Sequence, residues 1–186
     1  ITKGTVLLTG GLALAFVALS PERRHDMSVF YAFCRLVDDL ADEPDRPVEQ
    51  RRAELQRWRE AVVTPVSGES PLAPAVRQLI SKYRLSTDHF SEIIAGCEMD
   101  LTQTRYLDWA ALERYCHRVA GVVGLLAARI FGYRDARTLE YARDLGIAFQ
   151  LTNIIRDVGE DARKNRIFLP MDELKRFAVP AADILN

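Results

Sequence analysis

An all-α helical bundle is the fold class that the sequence predicts, and three observations carry the prediction. Apolar residues recur at three- and four-residue spacing through most of the chain. No run alternates apolar and polar residues between hairpin turns, so strand signals are nearly absent. Pro44, Pro47 and the stretch from Thr64 to Pro71 break the periodic pattern into separate segments.

The segments follow in order. Residues 5–19 are nearly uncharged and include Gly10 and Gly11, with Lys3 ahead of them. This pattern fits either a secretory apolar region or a buried first helix. It is short for a membrane span, which needs about 20 apolar residues. Continuity into Pro21-Glu22-Arg23-Arg24 favours a helix packed inside the bundle and left uncleaved. From Pro21 to about Glu43 the helical face is marked by Val29, Phe33, Leu36 or Val37, and Leu40. A second helix over 48–63 is rich in Arg and Glu around Leu55 and Trp58. Further helices are expected at 73–83, 87–104, 108–131, 135–162 and 171–177, and Pro180 suits the first turn of another. The chain opens on Ile1 rather than Met and stops as that last helix begins, so it reads as a piece of a longer chain.

Composition narrows the function. With 186 residues, 48% hydrophobic and 27% charged, the chain is globular and long enough for a full core. Lys and Arg number 25 against 26 Asp and Glu, a net charge of -1, which argues against a nucleic-acid partner. Cys34, Cys97 and Cys116 have no metal or disulfide spacing, and His25, His89 and His117 are scattered. A reducing compartment is expected. No nucleophile elbow, phosphate loop or dinucleotide fingerprint occurs, and Gly121-Val122-Val123-Gly124 lacks the Lys and Ser/Thr of a phosphate loop.

Two acidic clusters carry the chemistry. In Arg35-Leu36-Val37-Asp38-Asp39-Leu40-Ala41-Asp42, Asp38 and Asp42 stand one helical turn apart, roughly 6 Å along the axis, on a face shared with Arg35. A divalent cation would relieve their repulsion; a solvated acidic helix end is the other reading, though it opposes the helix dipole. The second cluster places Gln150, Asn153, Asp157 and Asp161 in one helical stripe inside an apolar run that includes Ile147, Phe149, Leu151, Ile154 and Ile155. Buried amides without partners cost roughly 1–3 kcal/mol each. An inward stripe therefore suggests either a ligand cage or a polar network that specifies packing. Two such stripes on separate helices form a set of hard oxygen donors suited to Mg²⁺. Arg35, Arg156, Lys164 and Arg166 supply charge for a metal-bridged diphosphate. Ionisation of an allylic diphosphate in an apolar pocket would then produce a carbocation, with Phe30, Phe33, Tyr115 and Phe149 as candidate π faces.

These residues resemble a known family. Residues 31–42, the Tyr115-Cys116-His117-Arg118-Val119-Ala120-Gly121-Val122-Val123-Gly124 stretch, and residues 151–161 followed by Arg166-Ile167-Phe168-Leu169-Pro170 are similar to three motifs of the squalene/phytoene synthase family, in order. The flanking detail at 98–106 looks most like bacterial presqualene diphosphate synthases of hopanoid pathways. The resemblance implies an isoprenoid-synthase-type helical bundle with a central cavity. Residues 1–186 would form one helical prenyltransferase domain, with the last cavity-closing helices lying beyond Asn186. It implies Mg²⁺-dependent head-to-head joining of two farnesyl diphosphates to presqualene diphosphate, with NADPH needed only for onward conversion to squalene. Asp38, Asp42, Asp157 and Asp161 would hold the metal, and Tyr115 and Arg35 would act at the reacting centre. Arg35, Gln150, Asn153, Arg156, Phe33 and Arg166 would bind substrate. A cytoplasmic enzyme in peripheral contact with a membrane is implied by the insoluble products. The chain departs from the family pattern at Thr9-Gly10-Gly11-Leu12-Ala13-Leu14, where a Ser-rich aromatic entry is usual, and at Phe168, where Tyr is common. Phytoene or dehydrosqualene synthesis is the alternative activity, and a non-catalytic helical assembly factor the alternative class.

Overall fold

The computed structural model describes residues 19–43 and 45–185. The expectation for 5–19, and the departure at 9–14, fall outside the described residues save for Leu19, which packs against the core. Ten α-helices are described: α1 (Pro21–Asp42), α2 (Val48–Ala61), α3 (Ala73–Tyr83), α4 (Thr87–Met99), α5 (Trp109–Cys116), α6 (Val122–Phe131), α7 (Arg137–Arg156), α8 (Val158–Arg163), α9 (Met171–Arg176) and α10 (Ala181–Leu185). A π-helical turn, His117–Gly121, joins α5 to α6. The described residues contain no strand; a single parallel bridge pairs Arg105 with Ile167.

Local chemistry sets the helix ends. Ser20 caps α1 by accepting from the Arg23 amide, and Pro21 occupies the first turn, where a missing N–H costs nothing. Ser86 and Asp108 cap α4 and α5 by accepting from the amides of Asp88 and Ala111. Arg84 ends α3 in the left-handed region, and Gly132, with φ 82°, ends α6.

α1 packs against α2, α3, α4 and α6. Its apolar face contributes Met27, Phe30, Phe33, Val37 and Ala41 to the larger core, where Phe33 meets Trp58 and Phe90 at ring separations of 5.4 and 5.1 Å. Edge and tilted ring contacts of this kind add to the burial of apolar area. A second, smaller cluster gathers Tyr106, Leu112, Tyr115, Cys116, Ile154 and Phe168. The two clusters meet along α4, the π turn and α7, and the candidate site lies at that seam.

Three expected helices change form. The helix at 87–104 stops at Met99 and continues as turns. The helix at 108–131 is interrupted by the π turn. The helix at 135–162 is kinked at Asp157, whose backbone (φ -101°, ψ 11°) leaves the helical region, although Asp157 N to Asn153 O and Asp161 N to Asp157 O, both 2.9 Å, keep the bonding continuous. The four-residue stripe is therefore bent between Asn153 and Asp157. No helix among the described residues is long and apolar enough to cross a membrane.

Candidate active site

The first acidic cluster lies on the last two turns of α1, with Asp38 and Asp42 facing a cavity of about 60 Å³. Arg35, Asp100, Tyr115, Gln150 and Arg166 share its wall, so residues more than a hundred positions apart meet around it. Three carboxylates oppose two guanidiniums there. Arg35 reaches forward along its own helix to Asp39 at 2.7 Å and stands 3.8 Å from Asp38. Arg166 donates to Asp42 Oδ1 at 3.3 Å and to the Asp100 carbonyl at 3.1 Å. The Tyr115 hydroxyl donates to Asp100 Oδ2 at 3.0 Å.

Burial drives the electrostatics. Desolvation, then the neighbouring Asp42 charge, pushes Asp38 up to about 7 despite Arg35. Burial likewise pushes Asp100 up to about 7, with Arg166 and the Tyr115 hydrogen bond pulling the other way. The same burial raises the Cys34 and Cys97 thiols on the wall, so both are inert neutral groups.

Asp38 Oδ2 and Asp100 Oδ1 are buried without hydrogen-bond partners. Such oxygens have unspent acceptor capacity, and the donor set is all hard oxygen, which fits Mg²⁺. Among the described residues, no three His, Cys, Asp or Glu side chains are gathered closely enough to hold a metal alone.

The cavity adjoins an apolar groove of about 550 Å³ between α1, α6 and α7. The two spaces share Tyr31, Cys34, Val119, Val123 and Gln150. Gly124 and Gly146 bring the groove walls together, because a Cβ on either would strike the carbonyl of Ala142 or Ala120 respectively. The groove is within the size range of small-molecule pockets.

The remaining expected site residues are placed as follows. Gln150 and Asn153 are buried, and Asn153 lines the apolar groove. Asp161 is buried at 1% exposure in a small space beside Arg166, Ile167 and Phe168, so Arg166 borders both acidic motifs. Asp157 is gripped by exposed Arg156 through two 2.7 Å bonds. Neither Asp157 nor Asp161 lines the cavity that holds Asp38 and Asp42. Phe33 lies in the core among Trp58 and Phe90, away from that cavity. Lys164 is exposed beside Glu160, and Ile155 is 70% exposed rather than inward. Phe149 is half-exposed along the groove.

Asp100 and Tyr31 are site residues that sequence reasoning passed over. Asp100 follows Phe90, Ile93 and Cys97 on the apolar face of α4, three residues after Cys97. A lone carboxylate continuing an apolar stripe was the available signal.

An all-α bundle with an acidic cavity beside an apolar groove fits the fold of the helical isoprenoid synthases. The chain belongs to the squalene/phytoene synthase family, whose model matches residues 11–186. It is 42% identical over 180 residues to presqualene diphosphate synthase of Rhodopseudomonas palustris, covering 96% of this chain and 64% of that protein. It is 38% identical to phytoene synthase 3 of Zea mays, covering 93% of this chain and 42% of that protein. A dehydrosqualene synthase crystal structure superposes with a TM-score of 0.78 at 30% identity, covering 99% of this chain and 65% of the other. Squalene synthase HpnC from Alicyclobacillus acidocaldarius gives a TM-score of 0.74 at 27% identity, covering 90% and 63%. The chain thus spans less than two thirds of the length of these relatives.

Proposed function

We propose that the protein is a prenyltransferase that joins two farnesyl diphosphates head to head, with Mg²⁺, to give presqualene diphosphate. The observation that carries this reading is that a carboxylate- and arginine-lined cavity shares a wall with an apolar groove, which matches a substrate charged at one end and hydrocarbon at the other. The 42% identity to a presqualene diphosphate synthase favours this product.

Mg²⁺ binds typically through one or two carboxylates plus substrate phosphates. Asp38 and Asp42 are the pair that the cavity offers, with Asp157 and Asp161 proposed as the second pair across Arg166. When bound, the ion stabilises the diphosphate as a leaving group. Arg35 and Arg166 hold diphosphate oxygens by charge-assisted bonds, and Arg156, which now grips Asp157, is the further candidate. Gln150, on the wall shared by cavity and groove, and Asn153, on the groove side, orient the diphosphate. Tyr115 lines the reacting centre, and the groove excludes water from an allylic cation. Phe33 supports this wall from the core rather than touching substrate.

Phytoene or dehydrosqualene synthesis is the second reading, favoured by the likeness to a phytoene synthase and a dehydrosqualene synthase. The deciding experiment incubates the full-length protein with farnesyl or geranylgeranyl diphosphate and Mg²⁺, with and without NADPH. Presqualene diphosphate formed without NADPH is the expected product. Phytoene from the longer substrate, or dehydrosqualene, would replace the leading reading. Binding of both substrates without turnover would make the protein a non-catalytic member.

A further inference from the structure

Asp100 plays no part in the reaction proposed above, yet it ties α4 to two other parts of the cavity wall. It follows the last turn of α4, and side chains from two other segments reach it. Its Oδ2 accepts the Tyr115 hydroxyl from α5 at 3.0 Å. Its carbonyl accepts Arg166 Nη2 at 3.1 Å, while Arg166 Nη1 reaches Asp42 of α1 at 3.3 Å. The Tyr115 ring is fixed separately, against Tyr106 at 5.4 Å and Phe168 at 5.3 Å between centroids. Packing therefore sets where the ring sits, and Asp100 sets where its proton points.

We propose that Asp100 is a positioning residue of the active site, committing the Tyr115 proton to its own carboxyl so that the phenol oxygen turns its lone pairs towards the reacting end of the substrate. This inference rests on the prenyltransferase reading for its catalytic consequence only. A phenol whose proton is held elsewhere is an acceptor towards the cavity, which suits electron-poor carbon and not another anion. Either protonation state of Asp100 retains an acceptor oxygen, and so does an amide in its place.

The test uses the full-length protein with Asp100→Ala, Asp100→Asn, Tyr115→Phe and the Asp100→Ala/Tyr115→Phe double variant. Groups that act as a unit lose activity non-additively. Asp100→Ala and Tyr115→Phe are each expected to lower kcat by about tenfold or more, with KM for the prenyl diphosphate changing less than about threefold. The double variant should be no slower than the slower single variant, and Asp100→Asn should recover most of the loss. Losses that multiply, a near-normal Asp100→Ala, or an Asp100→Asn as slow as Asp100→Ala would overturn the proposal. A second readout is independent of turnover. In protein carrying ¹³Cζ-labelled tyrosine, the resonance absent from Tyr115→Phe should shift in Asp100→Ala and stay near its place in Asp100→Asn. An unmoved resonance in Asp100→Ala overturns the positioning role. If wild type turns over no prenyl diphosphate while that resonance shifts as expected, the functional reading falls and the positioning of Tyr115 stands.

Discussion

Asp38 carries electrostatic strain within the fold. Its folded pKa, about 7, lies above the ordinary 3.8, so the native state binds the proton more tightly than the unfolded chain. The sign follows directly: this group weakens the fold as pH rises from about 4 through about 7. Asp38→Asn removes the buried charge, and its melting temperature without Mg²⁺ at pH 8 is expected to exceed that of wild type. The same variant should lose turnover and the stabilisation that Mg²⁺ with a diphosphate analogue gives to wild type. Asp157→Asn should weaken that ligand-induced shift too, whereas Asp45→Asn on the exposed α1–α2 loop should leave it unchanged. Equal shifts in Asp157→Asn and wild type would confine the metal to the α1 pair. At this scale the sequence was legible where chemistry is local. Asp38 and Asp42 share a face because i,i+4 spacing requires it, and Gln150 is inward because its neighbours are apolar. Asp100 escaped notice because its partners, Tyr115 and Arg166, come from segments that only tertiary folding brings to it.

Among the helices, the contact between α7 and the π turn with α6 shapes the groove. Gly124 and Gly146 meet opposing backbone there, and backbone cannot rotate out of the way as a side chain can. Gly146→Ala and Gly124→Ala are each expected to destabilise by about 1–3 kcal/mol, read as a lower midpoint in chemical denaturation. Gly159 in α8 is the internal comparison, because a Cβ there meets nothing within 4 Å. Gly159→Ala should be stabilising by about 0.4–1 kcal/mol, through a less flexible unfolded chain. Periodicity located α1 and α3 nearly to the residue, since Ser20 and Pro21 mark the start of α1 and a proline stands in the first turn of α3. It did not reveal the π turn or the kink at Asp157. The residues on either side keep helical character, and the deviation is set by what packs against them, such as Gly96 against Val119 and Arg118.

Across the whole molecule, two ionic pins hold α3 to the rest of the bundle. Glu69 takes two bonds from Arg77, at 2.8 and 2.7 Å, and one from the Val66 amide, while Arg77 also donates to the Ala61 carbonyl at 2.6 Å. The α2–α3 loop is thereby tied to both helices. On the other side, Asp26 of α1 accepts from Lys82 at 2.6 Å and Tyr83 at 2.7 Å. The Arg77 hydrogen bonds hold Glu69 down to about 2. Asp26 is pushed up by burial but drawn lower overall by its bonds to Lys82 and Tyr83. Depressed carboxylates stabilise above their unfolded pKa, and that stability drains away as pH falls through the folded value. The Glu69 contribution should therefore disappear between about pH 4.5 and about 2. Glu69→Gln is expected to melt earlier than wild type at pH 7 and to lose less further stability over that acid range. Melting curves collected from pH 7 to pH 2 check both statements, and parallel curves for the two proteins would refute them.

The π turn has a consequence for azimuth. Tyr115 and Val123 are eight residues apart and line the same cavity. In an unbroken α-helix, eight steps of about 100° would leave them about 80° out of phase. The wider turn absorbs roughly one residue, which brings the difference to about 20°. The chain at His117–Gly121 thus works as a phase corrector between two helices that would otherwise aim at different walls. Deleting one residue from it would leave a longer, more regular helix. With seven steps of about 100° between them, Tyr115 and Val123 would stay about 20° apart, so such a deletion should keep both on the cavity, whereas straightening the turn without a deletion would turn one aside.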